Sequence, residues 1–361
     1  MKSIKVVLSL SFVFFFFIVD AQTFNKVFYL KGTEVLKEAY EVSSLSMADT
    51  LIIARLRPES EYYFSVYDPK TLKEIIKFGK KGYGPNEFPS STSYMGQYEV
   101  VDGDLMIWLL GLNTSKMYRV NISKTIASKQ TVIEKIIKVR PESSFLSVYY
   151  IDSTKLIGRS GNSTPAMFRL QIYNPKADKV VKTIPLFPPI ERKKDDMEFV
   201  FYRYNLLFVS GLTLKPDKTK LATAMEMFNR VDILNIDGDV IASFVDKYNN
   251  ISDANIDNYL SAKEQGLKYL NINSYYIKTC SSDSFIYTLY DNYQFKKSYF
   301  ESHPVAIRIF DWESHPVCEI KIPDHLRTFT IDEKQGVIYG VDYLNEKFYM
   351  YDIKPVLNEI R

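Results

Sequence analysis

The chain has 361 residues, 46% of them apolar and 25% charged, which is enough material to bury a full core as one large domain or two smaller ones. A formal net charge of +3, with no long Lys/Arg block or basic stripe, argues against a nucleic-acid partner. Aromatic residues reach 15%, with 27 Tyr and 24 Phe, a composition that favours strands over helices.

Lys2 and Lys5 precede an apolar run from Val6 to Val19, and Asp20-Ala21-Gln22 follows. A basic start, a short apolar stretch and a small residue at the break predict a secretory signal over residues 1–21, cut after Ala21. The run is short for a membrane span, although a retained anchor is the competing reading. Gln22 stands where a lipidated chain would need Cys, so no lipid anchor is expected. The mature chain, residues 22–361, is therefore expected to be periplasmic or secreted, without a membrane span.

Beyond the leader, short apolar-alternating runs recur between turn-forming residues. Leu51–Leu56 and Tyr62–Tyr67 are followed by a turn at Asp68-Pro69-Lys70-Thr71 and then Leu72–Phe78. The same order returns at Lys155–Arg159, Met167–Tyr173, a turn at Asn174-Pro175, and Val180–Ile184. It returns again at Leu221–Met225, Val231–Ile236, Asp237-Gly238-Asp239 and Val240–Val245. A fourth copy runs through Phe285–Tyr290, Val305–Asp311, a turn at Trp312–Pro316, and Val317–Ile322. Each copy is preceded by a further strand, such as Phe208–Leu214 or Tyr275–Cys280. Four antiparallel strands repeating every ~40–50 residues predict a β-propeller.

Counting gives six units, at roughly 42–78, 94–137, 145–184, 207–245, 273–322 and 325–352. The last has only three clear strands, ending with Lys347–Asp352. The segment from about Asn25 to Lys37 has no unit of its own and is expected to supply the missing outer strand, which would close the ring and remove its exposed edges. The fold expected is all-β: a six-bladed β-propeller of four-stranded antiparallel blades, closed by an N-terminal strand. A pair of β-sandwiches fits the regular period less well.

Two motifs carry a family resemblance. Phe78-Gly-Lys-Lys-Gly-Tyr-Gly-Pro-Asn-Glu-Phe88 resembles the glycine-spaced loop between blades of NHL-type propellers, and Val101–Trp108 is similar to the segment that follows it. Ile309–Val317 and Phe329–Glu333, onward to Ile338-Tyr339, resemble the closing blades of bacterial TolB-like six-bladed propellers. The resemblance covers most of the mature chain. It implies an exported propeller and leaves the activity open. The full glycine loop occurs once, so a regular NHL array is not implied.

In such a ring the connections between second and third strands, and from blade to blade, emerge on one face. The other connections emerge opposite. The turns between third and fourth strands are tight, whereas the long connections, Gly79–Ser93, Phe187–Asn205, Lys247–Ile272 and Asp291–Pro304, all fall on the first face. Long loops in compact domains tend to be functional. One of them is expected to hold a helix after Ser252-Asp253, whose side chains suit a cap. Another, Phe187–Asp196, mixes charge signs after a Pro pair and reads as a solvated loop.

Candidate chemistry is sparse. The three histidines are His303, His315 and His325, and Glu-Ser-His-Pro-Val occurs at 301–305 and again at 313–317. A strand between the first two holds them ~20 Å or more apart. His303 and His325 can share the long-loop face, but no metal site or cofactor is expected. No phosphate-binding loop or nucleophile motif is present, and Gly79, Gly82 and Gly84 read as backbone devices in the blade crossing. The Asn-x-Ser/Thr sites at Asn113, Asn121, Asn162 and Asn250 matter only in a glycosylating host. Cys280 ends an innermost strand and Cys318 begins the outermost strand of the same unit, ~14 Å apart where a disulfide needs ~7 Å. Both are expected as free thiols.

Two classes of function remain. The first is a non-catalytic binding or scaffold propeller, expected as a monomer, that holds a protein, peptide or glycan at the long-loop face and channel mouth. The starts of the inner strands and the nearby loop nominate Tyr83, Tyr94, Arg203, Tyr204, His325 and Arg327 as contacts. The second is a propeller enzyme of lactonase or lyase type, which needs carboxylate, amide or imidazole groups converging on an axial ion. The sequence shows no such set at the inner-strand starts.

Overall fold

The apolar runs form strands in the computed structural model, which describes residues 23–36, 41–89, 91–112, 114–139, 145–160, 168–185, 207, 209–247, 249–256 and 272–361. In chain order, β1 (Val27–Tyr29) and β2 (Thr33–Leu36) lead. Blade 1 is β3 (Val42–Ala48), β4 (Leu51–Leu56), β5 (Tyr62–Tyr67) and β6 (Glu74–Lys80). Blade 2 is β7 (Thr92–Val101), β8 (Asp104–Gly111), β9 (Lys116–Asn121), helix α1 (Ile122–Ser128) and β10 (Ile133–Lys138). Blade 3 is β11 (Phe145–Asp152), β12 (Lys155–Ser160), β13 (Phe168–Asn174) and β14 (Lys179–Pro185). Blade 4 is β15 (Ser210–Leu214), β16 (Lys220–Met225), β17 (Arg230–Asn235) and β18 (Val240–Val245). Blade 5 is β19 (Asn273–Ser281), β20 (Phe285–Gln294), helix α2 (Phe295–Ser298), β21 (Val305–Asp311) and β22 (Pro316–Ile322). Blade 6 is β23 (Leu326–Asp332), β24 (Val337–Asp342) and β25 (Lys347–Asp352), followed by helix α3 (Lys354–Ile360).

The described residues thus form six sheets, antiparallel except at one edge of blade 5, a six-bladed propeller with the unit boundaries read from the sequence. The N-terminal segment does close the ring, and it is shared between two blades. β2 pairs antiparallel with β25, Thr33 opposite Met350, and completes blade 6. β1 lies parallel to β22, Val27 opposite Glu319, as a fifth strand of blade 5. Phe24 reaches still further, packing on Phe244 of blade 4 and Phe310 of blade 5.

Burial follows strand position rather than alternation. Neighbouring blades cover both faces of the middle strands, so β8, β16, β17 and β20 are buried along most of their length. The outermost strands face solvent: in β14 only Ile184 is buried. Val180 and Val181 therefore stay exposed, chosen for strand geometry rather than for the core.

Each third strand ends on or immediately before Asp or Asn: Asp68, Asn121, Asn174, Asn235, Asp311 and Asp352. Each of these side chains accepts backbone N–H groups of the next connection. Asn174 Oδ1 takes Lys176 and Ala177 at 3.0 and 2.9 Å, Asn235 Oδ1 takes Asp237 and Asp239 at 3.0 and 2.9 Å, and Asp311 Oδ1 takes Glu313 and His315 at 2.9 and 2.8 Å. Asn121 uses the same bond, 2.8 Å from Lys124 N, to cap α1. The short polar side chain satisfies donors that the turn leaves free.

The six first strands line the axis and contact one another around it. Side chains stitch them together. Thr328 and Thr330 hydroxyls accept the backbone N–H of Leu45 and Met47, joining blade 6 to blade 1. Gln97 bonds both backbone groups of Tyr150, and Tyr149 Oη reaches Met95 O and Leu212 O at 3.0 and 2.6 Å, tying blades 2, 3 and 4. Cys280 and Cys318 stand on one straight register line, Cys280–Tyr287–Ile309–Cys318, at opposite edges of the four-stranded part of blade 5. Both are free thiols, as the strand geometry requires.

Candidate functional site

The long-loop face is built at blade 5 on one buried carboxylate. β20 runs outward and ends near Asp291, whose side chain is fully buried. Its Oδ1 meets His303 Nε2 at 2.5 Å, and its Oδ2 accepts the Ser298 hydroxyl at 2.5 Å. Arg327 donates to Ser298 Oγ at 2.7 Å and lies 3.9 Å from Asp291. Its guanidinium also sits 4.0 Å over the Tyr299 ring. Tyr299 Oη donates to Glu226 of blade 4 at 3.0 Å, a carboxylate also bonded by Ser274 at 3.4 Å.

The two histidines meet here. The His303 and His325 rings are 4.3 Å apart edge to face, and Tyr293 stacks on His303 at 4.0 Å. His325 is 1% exposed, and its Nε2 has no partner among the described residues. Burial, the largest single influence, would lower the His303 pKa, but the hydrogen bond to Asp291, the bond to the Glu301 carbonyl and the Asp291 charge together outweigh it and the pKa is raised. At His325, burial and the His303 and Arg327 charges outweigh the opposing Asp342 carboxylate and push the pKa down. Burial raises the Glu226 carboxyl above the usual range, and burial lowers Arg159, which faces Glu226 from blade 3.

The order of contacts decides the chemistry. The Ser298 hydroxyl is spent on Asp291, and the carboxylate lies between it and the imidazole. A nucleophile and its base need the reverse arrangement, with imidazole touching hydroxyl. What the cluster does is hold α2 and the following loop in place. Tyr299 is left 45% exposed and Phe300 81% exposed beside the mouth.

The residues nominated from the sequence separate. Tyr83 is 92% exposed at the tip of the glycine loop. That loop is pinned beneath it: Phe88 plugs the core between blades 1 and 2, Gly79 at φ 69° leaves room for the Phe88 ring, and Gly82 at φ 155° leaves room for the Glu87 carboxylate. Tyr94 is buried in the same core, its hydroxyl on Met47 O at 3.2 Å. His325 and Arg327 come together in the Asp291 cluster, as supports more than as surface. Arg203 and Tyr204 lie outside the described residues, as do the loop at 187–196 and most of the segment after Ser252. Ser252 does cap a first helical turn, accepting from Asn255 N at 3.2 Å. His315 stands on the opposite face in the Asp311 turn, its Nδ1 hydrogen-bonded to Asp311 at 2.8 Å. Sequence reading passed over Asp291, Ser298, Glu226 and Phe300; the signal available was a Tyr-Phe pair inside a long connection.

Among the described residues, no group of three or more His, Cys, Asp or Glu side chains is arranged to hold a metal ion. No helix among them is long and apolar enough to cross a membrane.

A family model for TolB-like six-bladed propellers matches residues 21–334. Among solved structures, a member of the DUF4221 family from Bacteroides vulgatus superposes with a TM-score of 0.57 at 12% identity, over 92% of this chain and 97% of that one. A protein from Bacteroides fragilis described as exported gives a TM-score of 0.49 at 10% identity, over 90% and 98% of the two chains. At these identities the likeness concerns the fold. Among curated proteins, none matches this chain.

Proposed function

Because the chain belongs to the TolB-like family of six-bladed propellers, we propose that it acts as an exported, non-catalytic binding propeller that holds a protein, peptide or glycan on its long-loop face. The leader-like pattern of residues 1–21 supports export. The observation that carries the binding role is the set of outward rings on that face, Tyr83 at 92%, Phe300 at 81% and Tyr299 at 45% exposure. Rigidly supported aromatics beside a channel mouth suit recognition, because a ring buries much area for little lost freedom. The acids and bases behind them are cross-linked to one another and give Tyr299 and Phe300 a fixed platform.

The test is cross-linking in the exported compartment followed by paired variants. Tyr83→Ala and Phe300→Ala are expected to weaken capture of the native partner, by about 2 kcal/mol where a ring is a hot spot. Glu313→Ala and His315→Ala, on the tight-turn face, are expected to leave capture unchanged. Loss of the partner in the second pair with retention in the first would reverse the assignment of the face.

A further inference from the structure

At the other end of the axis the channel widens into a cavity of about 430 Å³, and nothing in the binding role proposed above uses it. Its walls are the ends of the innermost strands, with Ser46, Thr213, Ser281 and Thr330 among the lining residues. We propose that this cavity binds a small hydroxylated carboxylate of the sugar-acid kind, with the Lys278 ammonium at its floor as the carboxylate's partner.

The argument is one of unspent groups. Lys278 lines the cavity three residues before the end of β19, ~10 Å in from the strand end. It has no ion pair or hydrogen bond among the described residues. The other cations of the cavity are paired: Lys215 with Asp217, Lys218 with Glu99, Lys334 with Asp49 and Arg361 with Glu333. Cys280, the ionisable group of its strand that acts on it, is no counter-charge, since burial pushes that thiol up to about 12. Lys278 is partly exposed to the cavity, and holding an ammonium in that confined space without a partner is costly. Burial accordingly lowers the Lys278 pKa, and an arriving anion would offset that cost.

The kind of anion follows from the donors. Phosphate sites gather several cations or a nest of backbone N–H groups. Here one unpaired lysine shares the cavity with hydroxyls of which Thr213 and Ser281 bond each other and Thr330 accepts the Met47 N–H, leaving Ser46 and the Thr330 O–H to meet a ligand; that set matches a single carboxylate on a hydroxylated body. The volume falls within the range of small-molecule sites. The mixed-charge rim of Asp49, Asp283, Lys215, Lys218 and Lys334 leaves the entrance without a strong sign of its own.

The experiment reads the lysine itself. The purified protein is reductively methylated with 13C-formaldehyde, and the Lys278 resonance is assigned by its loss in Lys278→Arg. Gluconate, glucuronate and galacturonate are titrated, with glucose as the neutral probe and inorganic phosphate as the charge-only probe. The expected result is a saturable shift of that resonance with at least one sugar acid and none with glucose. Lys278→Met is expected to weaken binding at least tenfold, while Tyr83→Ala leaves it unchanged, so that this site and the long-loop face fail or succeed separately. Lys278→Met is also expected to raise the unfolding midpoint, by about 2–4 °C, because it removes a charge the fold does not pair. No saturable shift with any sugar acid, tighter binding of phosphate, unchanged affinity in Lys278→Met, or a lowered midpoint would each overturn the proposal.

Discussion

Asp291 and its partners set the pH response expected of the long-loop face. A histidine whose folded-state pKa is raised stabilises the fold fully below its unfolded value, near 6.5, and that stability is lost as pH rises through the folded value. His303→Gln keeps a donor for Asp291 and removes the titration. The stability gap between wild type and this variant, about 2 kcal/mol for a charged buried hydrogen bond, should be widest at pH 5.5 and shrink by pH 8.5 in denaturant titrations. A gap that stays constant or grows with pH would show that the pair does not titrate as described. That His303 and His325 share the long-loop face was legible in the sequence, since each precedes a strand that starts from that face. Asp291 was not, because what makes it central is its burial beneath α2. Tyr94 shows the opposite limit: an aromatic at an inner-strand start has the same sequence appearance whether it lines the mouth or seals two blades.

At the scale of elements, the strands and their units were legible because each run of apolar residues ends in turn chemistry. The stronger mark was the Asp or Asn that closes every third strand; the turns read from the sequence at Asp68, Asn174 and Asp237–Asp239 follow it, and it stands equally at Asn121, Asn235, Asp311 and Asp352. At Asn121 it opens a helix instead of a tight turn, so α1 was missed within a unit otherwise placed correctly. That residue is 0% exposed, and its amide donates to Asp104 at 2.9 Å and Glu134 at 3.0 Å while its oxygen caps α1. Its Asn-Ile-Ser sequence is therefore closed to glycosylation in the folded chain. Asn121→Ala removes the cap and leaves two carboxylates without their shared donor. The expected loss is about 2–3 kcal/mol by chemical denaturation, against a much smaller one for Asp68→Ala in an open turn. Equal losses at the two sites would mean that the buried network adds nothing to the turn.

The whole molecule is a ring held shut by its own leading segment, and that too was readable only in part. A missing outer strand in the last unit called for a donor, and β2 supplies it. The sequence does not distinguish an edge taken antiparallel from one taken parallel, so β1 on blade 5 and Phe24 on blade 4 appear only in the structure. Closure by three consecutive contacts leaves the two faces free to differ, one carrying the aromatic loops and the other the tight turns and the cavity. The binding account depends on that difference. Hydrogen–deuterium exchange on the captured complex, compared with the free protein, tests it most directly. The account predicts slowed exchange over 79–89 and 295–303, with the 311–316 turn unchanged. Protection confined to the 311–316 turn, with the two loop segments exchanging as in the free protein, would contradict it.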